Sequence, residues 1–136
     1  MISTEVREEK RVKLNAVTGE ILHAAFKVHS TLGPGLLESA YEVCLAHELR
    51  KRGLGVQTQV ALPVLYDGIQ VDLGYRIDLL VENAVVVELK ALETVLPVHK
   101  AQLLSYLRLG GKYAGLLINF HVDRLKDCIT RIVNKF

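Results

Sequence analysis

Apolar residues recur at helical spacing from Ile21 onward. Ile21, Ala25, Val28 and Leu32 fall on one face, with Leu22 and Phe26 beside it. Thr18 is placed to cap this helix. Upstream, Glu5, Arg7, Glu8, Glu9, Lys10, Arg11 and Lys13 alternate in charge, which reads as a solvated extension or a frayed helix start. Gly33-Pro34-Gly35 stops the first helix. A second carries Leu37, Ala40, Tyr41, Cys44, Leu45 and Leu49 on its inner side. It ends at Gly53, where a left-handed residue belongs, after Arg50-Lys51-Arg52, which suits the negative end of the helix dipole.

The hydrophobic period then changes to two. Val56, Thr58, Val60 and Leu62 alternate with polar neighbours. Asp67-Gly68 marks a turn between Val64-Leu65-Tyr66 and Ile69-Gln70-Val71. Residues 74–81 and 84–90 read as two further strands around Glu82-Asn83. Pro97 opens a helix with Ala101, Leu103, Leu104 and Leu107, which ends at Gly110-Gly111. Residues 113–120 form a buried strand. The tail, Leu125 to Val133, fits either an amphipathic helix or a bent strand. The order α-α-β-β-β-β-α-β predicts an α/β (α+β) sandwich with the third and fourth strands central.

Composition narrows the class. The chain has 136 residues, half of them hydrophobic and a quarter charged, enough for one folded core and too apolar for disorder. The expected organisation is a charged extension over residues 1–15 and one domain over 16–136. No apolar run suits a membrane span, and the charged N-terminus has no signal-peptide core, so a cytoplasmic protein is expected. Cys44 and Cys128 match no metal spacing and are expected to be reduced and buried. Net charge is only +2, which does not by itself argue for nucleic acid.

The chemistry sits on two strands. In Val85-Val86-Val87-Glu88-Leu89-Lys90, the odd positions share one face and Val86, Glu88 and Lys90 share the other. In the preceding strand Asp78 lies between Arg76 and Leu80 on one face. A carboxylate in such apolar strands is costly. One reading is a structural ion network of Asp78 or Glu88 with Lys90 or Arg76. The other is a divalent-metal site, with Asp78, Glu88 and the Leu89 carbonyl as hard oxygen ligands and Lys90 beside them. The loop decides geometry. A two-residue turn at Glu82-Asn83 would set Asp78 against Val87, whereas a longer loop or a bulge sets it against Glu88. On the second helix, Glu38 and Tyr41 are spaced i, i+3, and Gln102 and Tyr106 form an i, i+4 pair on the later one.

Gly35-x-x-Glu38-x-x-Tyr41 resembles the motif that names the GxxExxY family, with Leu32-Gly33-Pro34-Gly35-Leu36 leading in. Asp78, Glu88-Leu89-Lys90, Gln102 to Leu107 and Leu116 to Phe120 resemble its remaining blocks, so the likeness runs from about Thr18 to Val133. That family is placed in the PD-(D/E)XK nuclease superfamily. The resemblance implies an α-β-β-β-α-β core, a central mixed sheet flanked by helices. It makes Asp78 the first acid, Glu88 and Lys90 the ExK pair, Glu38 the helical acid and Gln102 the helical polar residue. Ile77 stands where the superfamily name has proline.

The implied activity is metal-dependent hydrolysis of nucleic-acid phosphodiesters, DNA favoured over RNA. One or two Mg²⁺ (or Mn²⁺) ions would bind Asp78, Glu88, Leu89 and, directly or through water, Glu38. Lys90 would position the attacking water or stabilise charge on the phosphate, and Gln102 would orient water or a backbone phosphate. Tyr41, Tyr106 and Lys100 would meet substrate, the two tyrosines otherwise supporting Glu38 and Gln102 or simply packing. Two rivals remain open. One is a non-catalytic nucleic-acid-binding module using Lys51, Arg52, Lys100, Arg108, Lys112, Arg124, Lys126 and Arg131. The other is a protein-interaction module, such as a homodimer, with a purely structural ion cluster.

Overall fold

The computed structural model describes residues 3–134. Helix α1 (Thr4–Leu32) is longer than the periodicity indicated. Ser3 caps it, its hydroxyl accepting from the Val6 amide, and the charged stretch forms its exposed first turns. Thr18 is therefore not a cap. It lies mid-helix and buried, because Leu14 and Val17 already face the core one turn earlier. Helix α2 (Glu38–Lys51) buries Tyr41, Leu45, Ala46 and Leu49, while Leu37, expected inside, is the N-cap and 78% exposed.

Strand β1 (Val56–Ala61) follows, then the short arms β2 (Val64–Tyr66) and β3 (Ile69–Val71), which form their own two-stranded sheet around Asp67-Gly68. Next come β4 (Arg76–Val81), β5 (Val85–Lys90), α3 (Pro97–Gly110) and β6 (Ala114–Asn119). The ambiguous tail is a short 3₁₀ turn, Leu125–Cys128, and then a strand, β7 (Ile129–Val133), antiparallel to β6. Its Ile129 and Ile132 pack on opposite faces of the sheet, a period that a strand satisfies and a helix does not.

The main sheet has the order β1-β4-β5-β6-β7, with only β5 and β6 parallel, linked through α3. Helices α1 and α2 cover one face, over Leu79, Val81, Val85, Val87 and Leu89. Helix α3 covers the other, over Leu80, Val86 and Leu117. Gly115 lets α3 settle onto β6, since a Cβ there would lie 2.9 Å from a Leu103 methyl. Without α1, the hairpin and β7, the order α2-β1-β4-β5-α3-β6 is the α-β-β-β-α-β core. Cys44 and Cys128 are free and half-buried, more open than composition suggested. Among the described residues no helix is long and apolar enough to cross a membrane.

Candidate active site

The β4–β5 loop takes the longer form. Val81 pairs with Val85, so Glu82, Asn83 and Ala84 make a three-residue connection, and Leu79 pairs with Val87. The same register brings Asp78 opposite Glu88. Backbone pairing stops one rung short of them. Side chains take over there: the Asp78 amide donates to Glu88 Oε1 at 3.2 Å, and the Leu89 amide donates to Asp78 Oδ2 at 2.9 Å. The N–H and C=O of one strand residue point the same way, so the Leu89 carbonyl faces this gap too.

On its other side Asp78 adjoins a kink in β1. The Gln59–Asp78 rung is missing although Thr58↔Leu79 and Val60↔Ile77 keep the register. Gln59 has φ 50°, a left-handed conformation that costs a non-glycine residue energy and marks functional sites. The kink turns its amide toward the acids, where Nε2 donates to Glu42 Oε1 at 2.5 Å and reaches Asp78 Oδ1 at 3.4 Å. Nothing in the alternating pattern of β1 distinguishes Gln59, and Glu42 reads as an ordinary helix-surface acid.

The α1–α2 loop explains the Gly-x-x-Glu-x-x-Tyr spacing physically. Gly33 and Gly35 both have positive φ, at 68° and 101°. One turn into α2, the Tyr41 hydroxyl donates to the Gly33 carbonyl at 2.6 Å and accepts from the Leu36 amide at 3.2 Å. Its ring, fully buried, stacks on Phe120 at 4.5 Å. Tyr41 thus fixes the loop that delivers Glu38 at the first turn of α2, and it has no surface to offer a substrate.

Lys90 closes β5. Among the described residues it makes no ion pair, and Arg76 pairs with Asp72 instead. The structural ion network, one of the two readings of these charges, is therefore not formed among the described residues. Lys51 and Arg52 are held by Glu48 and Glu20, away from the acids. The chain leaving β5 is clamped by buried Asn119, whose side chain bonds Leu92 through both N–H (3.0 Å) and C=O (2.8 Å). On α3, Gln102 donates to the Tyr106 hydroxyl at 3.2 Å, and His99 Nδ1 accepts from the Leu96 amide, capping the helix. Lys100 is exposed and lines a separate depression with Asn119 and Thr130.

Electrostatics ties these groups together. Glu88, 5% exposed, is pushed up to about 8, first by burial and then by the Asp78 charge, with Lys90 offsetting only part. Partial burial of its carboxyl raises Glu38, Lys90 opposes this, and Asp78 and Glu42 add to the rise. Glu42 rises through burial and Asp78, against the Gln59 hydrogen bond. Tyr106 is raised by burial and by Glu88, Tyr75 and Asp78. Gathering Glu38, Glu42 and Glu88 around Asp78 therefore makes these three harder to ionise, a surplus of negative charge that Lys90 offsets in part at Glu38 and Glu88.

Such a surplus suits a cation. Among the described residues no group of three or more His, Cys, Asp or Glu side chains is gathered closely enough to enclose a metal ion. Glu38 is thus not drawn in as a third direct ligand. The set that fits is smaller: Asp78, Glu88 and the Leu89 carbonyl. Mg²⁺ keeps several waters and takes one or two carboxylates plus substrate oxygens, so an open set of hard donors matches it.

The model of the PD-(D/E)XK nuclease superfamily matches residues 15–132. The chain belongs to that superfamily. Comparison with curated proteins and with solved structures returned no match. As a PD-(D/E)XK domain the molecule has a mixed sheet flanked by helices, the four strands of the core order with β7 added at the edge. Membership suggests a nuclease-like function and implies a nucleic-acid substrate, and nucleases of this superfamily typically use divalent metal ions.

Proposed function

We propose that this is a GxxExxY-type PD-(D/E)XK nuclease that hydrolyses nucleic-acid phosphodiester bonds, DNA in preference to RNA. Mg²⁺ or Mn²⁺ would be held by Asp78, Glu88 and the Leu89 carbonyl. The observation that carries this reading is the gap at the end of the β4–β5 ladder, where two carboxylates replace backbone pairing beside a lysine that makes no ion pair among the described residues. When bound, the cation lowers the pKa of a water and polarises the phosphate.

The chain's own residues do the rest. Asp78 is oriented through the Leu89 amide and Gln59, and Glu88 through the Asp78 amide. Lys90 supplies a point charge for the negative charge that develops on the phosphoryl oxygens. Glu38 orients water at the edge of the site, and Gln102, steadied by Tyr106, orients water or a backbone phosphate. Wild-type protein incubated with labelled DNA and Mg²⁺ or Mn²⁺ should cut it, and folded Asp78→Ala and Lys90→Ala should not. Equal cutting by Asp78→Ala and wild type would overturn the assignment. The alternative is a non-catalytic nucleic-acid-binding module on the same fold. Salt-sensitive DNA binding indifferent to metal and to Asp78 would establish it.

A further inference from the structure

Beside the acids, between the β2–β3 hairpin and α3, lies an open cleft of about 640 Å³. Val64, Tyr75, Val98, His99, Gln102 and Tyr106 form its walls. Two of its wall residues lie near the acids: Glu88 and Asp78 contribute to the raised Tyr106 hydroxyl, and His99 opposes the rise of Glu38. We propose that this cleft receives an unpaired nucleobase of a single-stranded substrate and so places the adjoining phosphodiester at Asp78 and Glu88. The inference rests on the nuclease reading and names the substrate class.

Three observations carry it. Among the described residues no lysine or arginine lines the cleft, so it is not built to follow a phosphate backbone. Its walls are instead aromatic and aliphatic, with the Tyr75 and Tyr106 rings 6.0 Å apart and tilted by 60°. Such a corner accepts the face of any base, while the Gln102 amide and the Ser105 hydroxyl suit the polar edge. Finally, the apolar surface of the cleft is held in water: Val98 is 63% exposed and Tyr75 41%. A stacked duplex would hide its bases from this surface, whereas an unpaired strand presents them.

The test is fluorescence anisotropy in EDTA, where no cutting occurs. The probes are one labelled oligonucleotide as a single strand, the same sequence as a blunt duplex, and a strand of equal length built from abasic residues. The single strand should bind about tenfold or more tightly than either comparator, as stacking of one base implies. Tyr75→Ala and Ala101→Trp, which fills the cleft, should bring it to the abasic level while melting as wild type. Equal affinity for all three probes, already measurable with wild-type protein, would overturn the proposal, as would variants that bind like wild type. Cleavage run in parallel separates the two claims. If Asp78→Ala still cuts while binding remains base-dependent, the nuclease assignment falls and the cleft stands. If Asp78→Ala loses cutting while binding ignores the bases, the cleft alone falls.

Discussion

Replacing Glu88 with Gln removes a buried carboxyl whose ionisation the fold opposes, and the size of the effect follows from its titration. The group rises from 4.5 to about 8 in the folded chain. An acid raised in this way costs nothing while it is protonated in both states. The penalty starts above the unfolded value, grows as pH rises, and is complete once pH passes about 8. Each pKa unit is worth about 1.4 kcal/mol, so a shift from 4.5 to about 8 amounts to roughly 5 kcal/mol at alkaline pH. By the same arithmetic it is about 3 kcal/mol near neutrality and under about 1 kcal/mol around pH 5. Glu88→Gln keeps the shape and cannot ionise. Urea unfolding in EDTA across this range should therefore show the variant increasingly more stable than wild type as pH rises. Adding Mg²⁺ should recover stability in wild type and not in the variant, because bound cation stabilises the folded state alone. Stability curves for the two proteins that run parallel from acid to alkaline pH would refute the reasoning.

Other substitutions separate function from support. Lys90→Met should leave stability within about 1 kcal/mol, since no ion pair is lost, while abolishing cleavage; a large drop in melting temperature would restore the structural-network reading. Gln59→Gly should relieve left-handed strain and hold or raise stability by up to about 1 kcal/mol, yet weaken Mn²⁺ binding because Asp78 loses a partner. Asn119→Ala should cost about 2–4 kcal/mol by orphaning the Leu92 amide and carbonyl, measurable by urea unfolding.

The residues that encode this site differ in how openly they do so. Asp78, Glu88 and Lys90 were legible because each interrupts an apolar strand, and period two fixed which of them share a face. The relation between the strands was not legible, since one extra loop residue decides it. The structure resolves the choice at Ala84, which stays in the loop. Glu38 and Tyr41 were legible as an i, i+3 pair, but the role of Tyr41 depends on Phe120 and on a glycine loop distant from that pattern. Gln59 was invisible because its significance is a backbone angle, not a residue type. Thr18 misled because a small polar residue before an apolar stripe is a good cap, and only the burial of Leu14 and Val17 shows the helix already under way. The tail stayed ambiguous because a segment that short satisfies both periods.

The central claim is that Asp78 and Glu88 together hold a divalent cation, and calorimetric titration of Mn²⁺ tests it most directly. Wild type should bind with release of a proton as Glu88 ionises, whereas Asp78→Ala, folded by circular dichroism, should give only heats of dilution. Indistinguishable titrations, or no binding to wild type in the presence of a single-stranded oligonucleotide, would contradict it.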